Sequence, residues 1–250
     1  MRPRVIALLG VVSYAVFLLA TTPASVVTGR VSAEAAGRVQ FSEISGTLWD
    51  GSARARMIAP GGPVFIDRLG WRLLPDRLAA GRLAFDVSAA ARGLDARFKA
   101  ARGFSDWEFR DVAARADAAF LSAFKPWVAR WRPEGTLAIT AAGLSWDERE
   151  MRGAARIEWR SAALALSEVR PLGSYRIELR AEGGPAKLEA TTLDGPLKIA
   201  AKGTYTPPSS VSLSGEARGE GENATALEPL LDLIGPRRPD GARTLELRLN

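Results

Sequence analysis

The sequence predicts a mainly β protein. An N-terminal transmembrane helix is followed by a curved, mostly antiparallel β-sheet, built from two similar halves and interrupted by two short helices. Three observations lead there. An uncharged apolar run opens the chain, apolar and polar residues then alternate with a period of two in at least six segments, and only two stretches carry the three-and-four spacing of an amphipathic helix.

The opening run is Val5 to Ala20, in which ten residues are Val, Ile, Leu or Phe, and no charge occurs between Val5 and Gly29. Residues 5–27 as one helix reach roughly 35 Å at 1.5 Å per residue, enough for about 30 Å of bilayer hydrocarbon. At roughly −0.3 to −0.6 kcal/mol each, the ten large apolar residues favour insertion by about 3–6 kcal/mol. Arg2 and Arg4 precede the run, so the positive-inside rule holds residues 1–4 in the cytoplasm. Residues 28–250 then lie outside, which in a cell with two membranes is the periplasm. The expected location is therefore the inner membrane, single-pass, with the bulk periplasmic. A cleavable signal ending near Thr22-Pro23-Ala24 is the rival, which leaves a soluble exported binding domain.

Strands come next. Leu83, Phe85 and Val87 alternate with Arg82, Ala84, Asp86 and Ser88; Ile157 and Trp159 alternate with Arg156, Glu158 and Arg160. Tyr175, Ile177 and Leu179, then Leu197 and Ile199, Val211 and Leu213, and Leu245, Leu247 and Leu249 repeat the scheme. Such strands have one apolar and one wet face, as antiparallel sheets do. Glycines at the breaks (Gly81, Gly135, Gly153, Gly173, Gly203) supply turns.

The two helical stretches are Asp117 to Trp131, which Pro126 kinks or restarts, and Asn223 to Ile234, which Gly235-Pro236 stops. Each is followed by an Arg-Pro-acid-Gly string and a strand. Ser45-Gly-Thr-Leu48 recurs as Glu134-Gly-Thr-Leu137, and Gly70-Trp71-Arg72 as Glu158-Trp159-Arg160. These echoes suggest an internal duplication, with halves at about 39–131 and 132–250.

Composition removes whole classes of function. The chain has no Cys and no His, so disulfides, thiolate or imidazole metal sites, cysteine nucleophiles and Ser-His-Asp triads are out of reach. The net charge is +6, but Arg alternates with Asp and Glu and no basic cluster exceeds Arg237-Arg238, so nucleic acid is not an expected partner. Asp147-Glu148 beside Trp146 suggests paired carboxylates, yet adjacent strand residues point to opposite faces and the stretch reads as a turn. No phosphate loop or nucleophile elbow is present. We expect no enzyme, no catalytic or metal-binding residues and no cofactor.

The run Val39-Gln-Phe-Ser-Glu-Ile-Ser-Gly-Thr-Leu-Trp-Asp-Gly-Ser-Ala53 resembles the signature of the type II secretion (general secretion pathway) protein N family. The likeness continues in order through Leu69-Gly-Trp-Arg-Leu73, Gly153 to Trp159 with Leu172-Gly173, Gly195-Pro-Leu197, and Leu227 to Gly235. Physically, Gly46 and Gly51 read as turn residues bracketing a strand, with Trp49 anchoring it against the apolar face, and Trp49, Trp71 and Trp159 read as core aromatics on equivalent strands. The resemblance implies an accessory inner-membrane subunit of the type II secretion apparatus. Its partners would be other inner-membrane subunits and the secretin. An apolar sheet face also resembles the groove of AsmA-like proteins, which implies a lipid-binding or lipid-transfer alternative.

Overall fold

The computed structural model describes residues 14, 17, 21–147, 150–207 and 210–249. Residues 1–4, most of the expected span 5–27, and Glu148 lie outside these. Among the described residues no helix is long and apolar enough to cross a membrane.

Thirteen strands form one sheet in strict sequence order, every neighbour antiparallel. They are β1 (Val39–Gly46), β2 (Asp50–Ala59), β3 (Gly62–Leu73), β4 (Leu83–Ala91), β5 (Leu94–Arg102), β6 (Trp107–Asp117), β7 (Glu134–Trp146), β8 (Met151–Ala163), β9 (Gly173–Gly184), β10 (Ala186–Asp194), β11 (Leu197–Thr206), β12 (Ser210–Gly219) and β13 (Arg243–Leu249). Every alternating segment of the sequence falls on one of them. Because each strand pairs only with its chain neighbours, the sheet is a meander whose contacts are local, and its stability propagates strand by strand.

The meander has two ends. The proximal end carries the β1–β2 turn, the β3–β4 connection, the β5–β6, β7–β8 and β9–β10 turns and the ends at which β11 passes into β12; the distal end carries the other connections. The short helix α1 (Ala24–Glu34) runs from the proximal end along β1. Pro23 precedes it and pairs as an isolated bridge with Thr47, while Leu48 N–H donates to Thr22 O at 2.9 Å. Ala24 and Thr28 are buried, so residues 24–27, placed by sequence at the end of the membrane run, begin a helix packed on the sheet. Proline lacks the N–H that a continuous helix needs there.

The two expected helices form as broken ones. After β6 come a 3-10 turn (Ala118–Phe120), α3 (Leu121–Phe124) and a second 3-10 stretch (Pro126–Trp131). Lys125 is extended ahead of Pro126, which is the break that a pre-proline residue imposes. After β12, 3-10 turns at Gly221–Asn223 and Thr225–Leu227 lead into α4 (Glu228–Ile234). Neither Asn223 nor Thr225 caps it by a side chain; Pro229 in its first turn sets the start. With α1 and α2 (Pro75–Leu78), which the sequence did not suggest, the described residues hold four short α-helices rather than two.

The densest core sits at the distal end, where Leu227, Leu230 and Leu231 meet Val169, Leu172, Leu197 and Ala217. Arg243 of β13 is buried beside them and ion-pairs with Glu228 and, at 2.7 Å, Asp232, tying the last strand to α4.

Both halves supply six strands and then a helical segment at the distal end, and in the second half β13 follows it. The shorter echoes do not coincide. Gly46 to Leu48 closes a proximal turn, whereas Gly135 to Leu137 opens a strand distally, and Trp71 and Trp159 lie on strands of opposite direction.

Candidate interaction surface

Registry sorts side chains onto two faces, because residues opposite each other in a ladder point the same way. One face is apolar across the sheet. Trp71 stands opposite Val87, which stands opposite Phe98. Phe85, Ala100, Phe109 and Leu144 form the next row, and Ile139, Ile157, Ile177 and Ala190 another. Trp107 stacks on Phe109 with centroids 6.2 Å apart, and Trp159 tilts against Tyr175 at 6.3 Å. Most of these side chains remain half-buried; Ala190 is buried, and Trp107, Trp146 and Ile139 are exposed. A face this apolar with so little covering is a candidate interaction surface.

At one margin α1 roofs the face. Between Thr28 and Val31 above and Leu69, Trp71, Phe85 and Trp107 below lies an open cleft of about 290 Å³ whose walls are apolar. Its one charged lining residue is Arg102, with the guanidinium 5.1 Å over the Trp107 ring. No carboxylate among the described residues pairs with it.

The opposite face is a lattice of ion pairs. Arg72 meets Asp50 at 2.9 Å, Lys99 meets Asp111 at 2.7 Å, and Glu158 accepts from Arg160 and Arg176 at 2.8 and 2.9 Å. Hydrogen bonds from Arg160 and Arg176 hold the Glu158 carboxyl below its ordinary range, and Lys99 does the same to Asp111. Exposed pairs contribute little stability each. Their effect is to leave this face wet and self-satisfied.

The signature residues turn out to be architectural, and they converge on two places. Residues 47–49 are the β1–β2 turn and not a bracketed strand: Gly46 at the end of β1 pairs with Gly51 in β2, and half-buried Trp49 sits inside the turn, not on the sheet. Trp71 holds that turn by donating its indole N–H to the carbonyls of Thr47 and Leu48, at 3.2 and 3.1 Å. Gly51 must lack a Cβ because that atom would lie 2.6 Å from the Trp71 ring. At the distal end, Leu172-Gly173 and Gly195-Pro196-Leu197 meet: a Cβ on Gly195 would lie 2.2 Å from Gly173 Cα, and Leu197 N–H donates to Leu172 O at 3.0 Å. Leu172 and Leu197 then enter the core beneath α4. In the sequence these strings stand apart, and their contact across 22 residues has no local signal. Trp159 donates to Glu134 O at 2.9 Å.

Asp147 accepts a hydrogen bond from Glu150 N–H at 2.7 Å, the geometry of a turn-forming Asx residue. Among the described residues no group of His, Cys, Asp or Glu is placed to hold a metal ion.

Fold and surface together define an open-edged, single-sheet β protein with one ion-paired face and one apolar face left for a partner. The profile of the type II secretion system protein N family matches residues 37–246, and the chain belongs to that family. It is thus a component of the type II secretion system, acting with other components of that apparatus. No curated protein and no solved structure matches the chain.

Proposed function

We propose that the chain is a non-enzymatic accessory subunit of the type II apparatus. In this reading the uncharged run that starts at Val5 and ends before Thr22 tethers it to the inner membrane, with 1–4 cytoplasmic, and the sheet works in the periplasm. The family match over residues 37–246 carries the reading, and the half-exposed apolar face supports a role in protein–protein contact with inner-membrane subunits or the secretin. A tether raises the effective concentration of the domain for other tethered partners without any added contact. The recurrence of six strands and a distal helical segment supports descent of the two halves from one unit.

Deletion should leave folded secretion substrates in the periplasm while their export across the inner membrane proceeds, and the chain should co-purify with inner-membrane subunits. Alkaline-phosphatase fusions after residue 60 should be active, with the mature chain beginning at Met1 or Arg2. Normal secretion in a clean deletion strain refutes the role, and a mature N-terminus near Ser25 refutes the tether. The apolar cleft favours a second reading, the lipid-binding one. Phospholipid in the purified chain by mass spectrometry, together with normal secretion in the deletion strain, would establish it instead.

A further inference from the structure

The proximal end exposes a group of large apolar side chains. Phe104, at the tip of the β5–β6 turn, is 99 % exposed. Around it on the same end stand Leu78 of α2, Leu83 at the start of β4, Trp107 at the start of β6 and Trp146 at the end of β7, each 38–45 % exposed. Turn tips select Gly, Asn, Asp and Ser, so a phenylalanine offered whole to solvent calls for a partner.

The tip is held out rigidly. Gly103 N–H donates to Asp106 O at 2.9 Å, and Arg82 clamps Asp106 at 2.7 Å and Glu108 at 3.2 Å. The ring's own position is set by the hairpin, not by packing into the sheet.

Where this rim points follows from the chain's entry. Thr22 and Pro23 are fastened to Thr47 and Leu48 at the same proximal end. Immediately before them lies the uncharged run Val5 to Ala20. The β5–β6 turn is four strand spacings from the β1–β2 turn, about 19 Å sideways, and on the same side of the sheet. The distal end, with its exposed Trp127 and Leu233, is a strand's length away, roughly 30–40 Å.

The geometry points to a bilayer as the partner: we propose that the proximal rim, with Phe104 foremost, seats in the interfacial layer of the membrane that holds the N-terminal segment. That layer is about 5–8 Å deep on each side of the hydrocarbon, and tryptophans favour it. Trp107 and Trp146, opposite each other in the β6–β7 ladder, would lie at its level. Arg102, a cation with no carboxylate partner among the described residues, complements anionic headgroups from the mouth of the apolar cleft. Docking fixes the tilt of the domain, its strands standing off the membrane. The inference rests on reading the uncharged run before Thr22 as an anchor.

The absence of cysteine makes the test direct. Single-cysteine variants Phe17→Cys, Phe104→Cys and Leu233→Cys of the full chain carry an environment-sensitive fluorophore. They are reconstituted into phosphatidylethanolamine/phosphatidylglycerol vesicles. All three positions are exposed, so the substitutions leave the fold intact. The expected result is a blue-shifted emission protected from an aqueous quencher at positions 17 and 104, and a quenchable, unshifted emission at 233. Protection at 17 with free quenching at 104 keeps the anchor and overturns the rim. Free quenching at 17 overturns the anchor and, with it, the proposal that rests on it. Protection at 104 that appears only when other subunits of the apparatus are added identifies a protein contact and overturns the proposal.

Discussion

Replacing Leu227 by alanine tests the distal core directly. Leu227 is fully buried and is surrounded by Leu172, Leu197, Leu230 and Leu231, with its Cδ1 close against Gly219. Three carbons leave the side chain. At about 0.8 kcal/mol each, their transfer alone is worth about 2.4 kcal/mol. A cavity term adds to this, because the sheet floor beneath α4 is hydrogen-bonded on both sides and cannot collapse inward. Leu→Ala changes at buried sites cost about 2–5 kcal/mol, and we expect the upper half of that range. Against a typical total of about 5–15 kcal/mol, that is a large fraction. The assay is equilibrium urea unfolding of the full chain in mild detergent, followed by tryptophan fluorescence, with hydrogen exchange to locate the loosened strands. Protection should fall first in β12 and β13, since α4 touches these and the meander passes stability only between neighbours. Leu233→Ala, at a 71 % exposed position of the same helix, should change stability by under about 0.5 kcal/mol. Equal effects from the two substitutions would refute the assignment of the core.

Two further outcomes test the proximal turn and the polar face. Gly51→Ala forces a Cβ to within 2.6 Å of the Trp71 ring and 2.8 Å of Thr47 O, at a cost of about 1–3 kcal/mol. That lowers Tm by roughly 2–12 °C in a chain of this size. Gly29→Ala, in open space within α1, should leave Tm unchanged or raise it. Glu158 has its carboxyl held below the ordinary range by Arg160 and Arg176. It therefore adds stability that is present above the unfolded-state value and is lost as pH falls through the folded one. Glu158→Gln should flatten the acid limb of a stability–pH curve below about pH 5 while leaving its neutral-to-alkaline shape alone; an unchanged acid limb would remove Glu158 from the account.

Strand identity and facing were legible in the sequence because both are local. The pleat alternates side chains every residue, so Ile157 and Trp159, or Tyr175, Ile177 and Leu179, declare one face without reference to any other strand. The helical interruptions after β6 and β12 were legible for the same reason, through their three-and-four spacing and their prolines. The family signature was legible as an ordered set of strings.

Other features needed the tertiary structure, because they depend on what comes near in space. The period of two says that Ile157 and Leu179 are inward; it does not say that their face is left half-open. Coverage depends on α1 at β1, on α4 at β12 and β13, and on α3, which reaches back to β3. The Gly46–Gly51 segment reads as a bracketed strand until Trp71, 20 residues downstream of Gly51, is seen holding it as a turn. Gly173 and Gly195 look like separate turn residues, and their mutual contact is visible only once β9, β10 and β11 are laid side by side. The proximal rim is the same kind of fact. Phe104 is one aromatic among nine phenylalanines in the sequence, and only strand direction puts it on the end of the sheet where the chain enters.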